Sequence, residues 1–239
     1  MKLQKLLSYT RKAVDNYNMI NDGDKIAIGV SGGKDSLALL YALKGLQRFY
    51  PKKFELEAIT VSLGFDDFNL NEVRKLCNEL EINYTVVNTD IADIIFNERK
   101  EKNPCSLCAK MRKGALNEMA EKLNCNKIAL GHHKEDIVET MMLSLFFEGR
   151  FYSFSPVTYL DRMKLYSIRP LMYVPEKEII GFKNKYNLPV VKSPCPADGN
   201  TKREYMKNLL STLEKENPGL IQRLYRAIEG SNINGWDCN

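Results

Sequence analysis

Lys25-Ile-Ala-Ile-Gly-Val-Ser-Gly-Gly-Lys-Asp-Ser36 decides the fold of this chain. A short apolar run, Ile26 to Val30, stops at Ser31-Gly32-Gly33, and apolar residues at helical spacing follow from Leu37 to Leu46. That order predicts a strand, a tight glycine turn and a helix start. Bare backbone N–H groups at such a turn form an anion cradle, and the helix dipole adds positive potential. Ser31 and Ser36 can donate hydroxyl hydrogen bonds, and Lys34 supplies a point charge. Gly32 and Gly33 let phosphate oxygens approach the backbone closely. The stretch is not a Walker P-loop, which has four residues between its first Gly and the Gly-Lys, then Ser or Thr. Here Asp35 follows Lys34. It is not a Gly-x-Gly-x-x-Gly dinucleotide turn either.

Outward from this turn, apolar runs and helical patterns alternate. Helices are expected over 3–20, 34–49, 69–80, 90–97 and 105–123 and from after Gly131 to about 148, and strands over 26–30, 54–62, 84–88 and 127–130. Leu107, Met111, Ala115, Met119 and Leu123 share one helical face. Residues 151–166 read as irregular, with a last strand at 166–169 before Pro170. Pro175-Glu-Lys-Glu opens a helix, residues 188–199 form a Pro-rich loop, and 201–228 is helical with a break at Pro218-Gly219. The alternation predicts an α/β fold, a doubly wound parallel sheet of about five strands with a helical C-terminal extension. We divide it as a nucleotide-binding unit over 1–172 and a helical segment over 173–239 carrying Cys195.

A second informative segment is Leu130-Gly131-His132-His133-Lys134-Glu135-Asp136, at a strand end and a helix start. Ligands of doubly wound folds bind at that edge. Glu135 and Asp136 can hold a hard cation such as Mg²⁺ through oxygen, or simply cap the helix. His132 and His133 are the only histidines.

Cys105-Ser-Leu-Cys108 lies at a helix start, with Lys110, Arg112 and Lys113 nearby. The helix N-terminus and these cations are expected to lower the thiol pKa values. The pair fits a redox couple, half a zinc site or part of an iron–sulfur site, and Cys195 could join it from the distal loop. Three cysteines with no fourth ligand suit a 4Fe–4S cluster with one open iron. Cys77 and Cys125 read as small packed groups, and Cys238 has no assigned role.

The 239 residues are 44% hydrophobic and 27% charged, enough for one large domain or one plus an appendage. The net charge of +5 permits a nucleic-acid partner without demanding one. No apolar run reaches bilayer length, and the start, Met1-Lys-Leu-Gln-Lys, lacks the long apolar region of a signal peptide. A cytoplasmic protein with no membrane partner is expected. Its six cysteines should be reduced, metal-bound or catalytic.

Ser-Gly-Gly-Lys-Asp-Ser36 resembles the PP-loop of the ATP-pyrophosphatase superfamily, whose members cleave ATP between the α- and β-phosphates. Cys-Ser-Leu-Cys-Ala-Lys-Met-Arg-Lys-Gly114, Gly-His-His-Lys-Glu-Asp136, Arg-Pro-Leu171 and Ser-Pro-Cys195 resemble, in order and spacing over about 20–225, the tRNA 2-thiocytidine synthetase family. That resemblance implies a Rossmann-like fold and three cluster ligands, Cys105, Cys108 and Cys195, for a 4Fe–4S centre. It implies ATP phosphates against Ser31, Gly32, Gly33, Lys34, Asp35 and Ser36, with Gly131 and His132 alongside, and Mg²⁺ held by Asp136 with Asp35. The family usually has two Asp where this chain has Glu135-Asp136. It also implies an anticodon-loop cytidine of tRNA as the acceptor of sulfur at C2, adenylated at that oxygen. Lys110, Arg112, Lys113, Lys202 and Arg203, with Lys207 beside them, are the expected tRNA contacts, and Arg169 is a candidate for the cleft. Sulfide or a cysteine desulfurase persulfide is the implied sulfur donor, and a homodimer is left open. Departures are Cys195-Pro-Ala-Asp198-Gly, without the second cysteine common there, and a chain that reads short at both ends. Thiolation of another RNA base or small molecule, a non-catalytic iron–sulfur nucleotide sensor, and a clusterless amidating or lysine-ligating enzyme remain alternatives.

Overall fold

β1 (Asp24–Gly29) pairs in parallel with β2 (Phe54–Ser62) on one side and with β4 (Lys127–Ala129) on the other. In the computed structural model, which describes residues 1–65, 68–101, 104–197, 201–231, 233, 235 and 236, this strand lies inside a six-stranded sheet. Asp198 and Cys238 lie outside the described residues. With β3 (Asn83–Asn88), β5 (Val157–Leu160) and β6 (Leu165–Ile168), the strand order is β3-β2-β1-β4-β6-β5.

All pairings are parallel except β5 with β6. The sheet therefore has one strand more than about five, and the segment expected to be irregular contains it. β5 is a four-residue edge strand with no fully buried position, so it carries neither length nor clean alternation to mark it.

Side chains of the central strands alternate between two cores, as strand geometry requires. Ile26, Ile28, Leu56, Ala58, Ala129 and Ile168 enter the larger one, with α1 (Leu3–Asn16), α2 (Lys34–Gln47), α6 (Lys134–Glu148) and α7 (Glu176–Tyr186). Ala27, Ile59, Val61, Ile128 and Leu165 enter the other, under α5 (Pro104–Lys122) and the short α4 (Ile91–Asp93), which continues as a wider π turn over Ile94–Glu98. Leu107, Met111, Ala115, Met119 and Leu123 all pack on this second core, the face expected of α5. Covering both faces explains why the parallel strands are so apolar. Each fully buried aliphatic side chain contributes about 1.5–3 kcal/mol.

α3 (Asn71–Glu79) connects β2 to β3. The C-terminal helices α8 (Lys202–Glu216) and α9 (Leu220–Glu229) both pack on α6. The break at Pro218-Gly219 is where expected: Gly219 has φ +85°, and the Glu214 carboxylate accepts from Gly219 N at 2.8 Å and Ile221 N at 2.7 Å. Cys77 and Cys125 are buried, and burial pushes each thiol up to about 11, consistent with packing groups.

From β1 the chain builds outward to β2 and β3, then returns to add β4 on the other side. The switch point of the fold is therefore the crevice beyond the carboxyl ends of β1 and β4. Residues 31–36 and 131–136 both start there.

Candidate active site

The glycine turn is braced from within. Ser36 Oγ donates to Gly33 O at 2.9 Å and accepts from Ser31 N at 3.2 Å, and Gly33 N donates to Ser31 Oγ at 3.3 Å. Gly32 has φ +80°, a conformation that suits glycine. Gly131 closes the other wall: a Cβ there would lie 3.0 Å from both the Asp35 carbonyl carbon and Ser36 N. Only a residue without a side chain lets the two loops touch backbone to backbone.

Four acids meet around His133, which is buried. Its Nδ1 lies 3.2 Å from Glu135 Oε2, and its Nε2 lies 3.5 Å from Asp136 Oδ2, 3.8 Å from Asp35 Oδ1 and 4.0 Å from Glu176 Oε1. Burial opposes charge on this ring, but the hydrogen bond to Glu135 and the charges of Asp136, Asp35 and Glu135 outweigh it and raise the pKa. The ring sits where carboxylates converge, as a cation would. Asp35 is pushed up by burial, against the pull of His133 and Lys34, and its Oδ1 is buried without a hydrogen-bond partner. That orphaned oxygen, beside the Asp136 carboxylate, suits a hard cation. Asp136 also accepts from His133 N at 2.9 Å and so caps α6, so the cation and capping roles are not exclusive here.

His132 turns elsewhere. Its ring stacks on Phe154 with centroids 4.4 Å apart, and burial, with Arg169 adding to it, lowers its pKa to about 3. Arg169 lies over the same Phe154 ring at 4.7 Å and donates to Ser155 O and Thr158 Oγ1. The arginine is buried and braces β5, and among the described residues no carboxylate pairs with it.

Two residues that motif reading did not single out complete the phosphate end. Glu176, at the start of α7, accepts from Lys34 Nζ at 3.0 Å and from Lys207 Nζ at 2.8 Å. Burial raises the Glu176 pKa, but these two lysines lower it further, to about 2. Glu176 N donates to Glu135 Oε2 at 2.8 Å, so Glu135 ties α7 to the 131–136 loop. Glu139 is the other: it is buried on α6, 3.6 Å from Arg203, and burial with the neighbouring Asp136 raises its pKa to about 7. Its sequence signal is weak, one turn along α6 from Asp136. Glu176 had none beyond its place at a helix start.

The basic residues divide. Arg203 lies 3.1 Å from Asp136 Oδ1 and donates to Thr140 Oγ1 at 3.3 Å, so it serves the site's acids. Lys202 lies over the Phe147 ring at 4.5 Å. Lys110, Arg112 and Lys113 are exposed on α5.

The cysteines converge. Cys105, Cys108 and Cys195 line one cavity of about 260 Å³, whose apolar wall includes Leu63, Phe65 and Ile95 and whose rim includes Arg112. Three thiols lining one apolar cavity have the donor chemistry of a sulfur-bridged iron centre. The expected lowering of the thiol pKa values is corrected for Cys108. Its pKa is raised, because burial outweighs the Arg112 charge and the other two sulfurs add to it.

The cavity and the glycine turn are joined by the loop that carries Cys195. Val191 N donates to Gly32 O at 3.0 Å, and a Cβ on Gly32 would stand 3.1 Å from the Val191 Cβ.

Similarity to known proteins follows this geometry. A PP-loop domain model matches residues 4–213. A tRNA-cytidine(32) 2-sulfurtransferase from Geobacter sulfurreducens is 41% identical over 231 residues, covering 95% of this chain and 90% of the relative. The U34-tRNA thiolase from Methanococcus maripaludis, solved with its 4Fe–4S cluster, superposes with a TM-score of 0.75 at 26% identity, covering 95% of this chain and 77% of that one. The NH₃-dependent NAD synthetase from Campylobacter jejuni shares the fold alone, with a TM-score of 0.52 at 17% identity over 96% of this chain and 94% of that one. A glycine turn between β1 and α2, tied through Val191 to the loop that brings Cys195 to a cavity shared with Cys105 and Cys108, is thus found in a chain that belongs to the PP-loop domain family and, within it, to the tRNA-cytidine(32) 2-sulfurtransferases.

Proposed function

We propose that this protein is an ATP-dependent tRNA sulfurtransferase that replaces the C2 oxygen of an anticodon-loop cytidine, position 32 in its relatives' name, with sulfur. The observation that supports it most is the gathering of Cys105, Cys108 and Cys195 in one cavity, with the Cys195 loop hydrogen-bonded to the glycine turn. ATP is the activating substrate, with its phosphates against residues 31–36 and Gly131. Lys34 leaves Glu176 to meet them, and Lys207 and Arg203 add positive charge at the same end. Mg²⁺ is held by Asp136 with Asp35.

The cytosine C2 oxygen attacks the α-phosphate, and pyrophosphate leaves. Positioning and charge neutralisation supply most of this step. The adenylated oxygen then leaves as AMP when sulfur attacks C2. A 4Fe–4S cluster held by Cys105, Cys108 and Cys195 supplies, when bound, an open iron for sulfide. The donor is sulfide, or a desulfurase persulfide from which a thiol reductant supplies the two electrons that free the sulfur as sulfide. Lys110, Arg112, Lys113 and Lys202 face the RNA. Residues 1–172 form the nucleotide-binding unit, and 173–239 bring Cys195, Arg203 and Lys207 to it. No helix among the described residues is long and apolar enough to cross a membrane. We place the protein in the cytoplasm.

The test is an anaerobic assay with holoprotein, ATP, Mg²⁺, sulfide and unmodified tRNA, read by nucleoside mass spectrometry. Thiolated cytidine with release of AMP and pyrophosphate is expected. A different thiolated nucleoside would move the acceptor, and no thiolated product with AMP formed on a small molecule would end the tRNA assignment.

A further inference from the structure

A second cavity, of about 410 Å³, opens between α1, α9 and the first turn of α6. Its cations come from three separate elements: Lys12 from α1, Lys134 from α6 and Arg226 from α9. Its walls include the rings of Tyr173 and Tyr225. Lys12 stands over the Tyr173 ring at 5.1 Å and Lys134 over the Tyr225 ring at 5.4 Å. The hydrogen-bond acceptor of Lys134 Nζ is the neutral amide of Gln222, at 2.8 Å, rather than a carboxylate. The one acid of the lining, Glu229, accepts from Tyr173 OH at 2.7 Å. Three positive charges therefore face a concave surface with one negative charge, and aromatic faces hold two of them in place.

We propose that this cavity takes a phosphodiester group of an RNA strand, bound by Lys12, Lys134 and Arg226. The inference rests on the tRNA reading above. Phosphate is the anion that such a cluster of flexible and forked donors meets well. A strand is favoured over a free nucleotide because the cations are spread across the meeting of three helices, and because the glycine turn already serves the phosphates of ATP. The segment 133–134 joins the two places. His133 turns toward Asp35 and Glu176, while Lys134 turns into this cavity. Backbone held by Lys134 would thus be anchored one residue away from the acids of the reaction site.

The test uses Lys12→Ala/Arg226→Ala, two exposed helix residues outside the reaction site, in the full chain. Affinity for unmodified tRNA is measured by fluorescence anisotropy across a KCl series, and affinity for ATP, AMP and inorganic phosphate by calorimetry. The double variant should bind tRNA about 5- to 20-fold more weakly, and its slope of log K against log salt should be shallower by about 0.7–0.9, the share of one phosphate contact. ATP affinity should stay unchanged, and Lys12→Arg/Arg226→Lys should restore tRNA binding. A wild-type protein that thiolates tRNA while the double variant binds it equally well, with the same slope, overturns this inference alone. Lost binding of AMP or inorganic phosphate with tRNA binding unaffected assigns the cavity to a free phosphate and also overturns it. A wild-type chain without affinity for tRNA removes both this inference and the function on which it rests.

Discussion

Lys34 Nζ lies 3.0 Å from Glu176 Oε1. The Lys34 charge is thus already matched by an acid from another helix. Lys207 shares that oxygen at 2.8 Å, so one carboxylate gathers two cations at the glycine turn. On the proposed reading, an arriving phosphate would take Glu176's place at Lys34, an exchange that would cost affinity while leaving the lysine pre-positioned.

Glu176→Gln should therefore bind ATP about 3- to 10-fold more tightly, the equivalent of about 1 kcal/mol of relieved competition. Calorimetric titration with a non-hydrolysable analogue measures it, and weaker binding would show that Glu176 organises the lysine rather than competes for it. The pH limb gives a second readout. Glu176 has its folded pKa depressed to about 2 from 4.5. Its stabilisation is fully present above about pH 4.5 and is lost as pH falls toward 2. The Gln variant should flatten acid unfolding in that window.

Gly131→Ala tests the contact between the two loops. The new methyl group would meet backbone atoms of Asp35 and Ser36 at 3.0 Å, and backbone cannot rotate away as a side chain can. A loss of about 1–3 kcal/mol in stability is expected, with a larger fractional loss of ATP affinity. Thermal unfolding with and without ATP separates the two. A variant with wild-type melting and ATP binding would mean that the loops part freely.

Glu139 carries the opposite pH sign to Glu176. Its folded pKa is raised to about 7 from 4.5 by burial and by Asp136, against Arg203, His133 and Lys207. The stability linked to its proton is fully present below about pH 4.5 and is lost as pH rises through 7. The cost at pH 8 is on the order of 2–3 kcal/mol. Glu139→Gln should remove this decline in metal-free buffer. Denaturant melts from pH 4 to about 8 would reveal it, and an unchanged pH profile would refute the shift.

Replacing any one of Cys105, Cys108 and Cys195 by Ala should remove most of the broad iron–sulfur absorption of anaerobically reconstituted protein, which should otherwise hold about four irons. Cys77→Ala and Cys125→Ala should leave it intact, since both thiols are buried in the two cores away from the cavity. Full absorption after Cys195→Ala, or zinc as the bound metal, would sink the three-cysteine assignment.

Local sequence carried the parts of this site that local backbone builds. Residues 31–36 and 131–136 each end a strand and start a helix, so their chemistry could be seen in short windows. β2 falls at 54–62 because its apolar run is bounded on both sides. Glu176 was illegible because its role depends on where α7 docks against α2, a tertiary fact with no spacing signature. Arg203 was legible as a cation, but its partner Asp136 could not be read from position alone. The two histidines looked equivalent in sequence, and burial separates them: His132 is neutral against Phe154, whereas His133 is encircled by acids. Cys108 shows a general rule failing locally, because desolvation outweighed the cations near it.

The bond from Val191 N to Gly32 O has a consequence for timing. Cys195 is four residues beyond Val191 on the same short loop. If the turn shifts when a nucleotide binds, this hydrogen bond would pass the shift to that loop. In the proposed reaction adenylation and sulfur attack meet at one carbon, and a pawl and its wheel need only one tooth in common. With Gly32 as that tooth, a nucleotide held in the turn would register on the loop that carries Cys195.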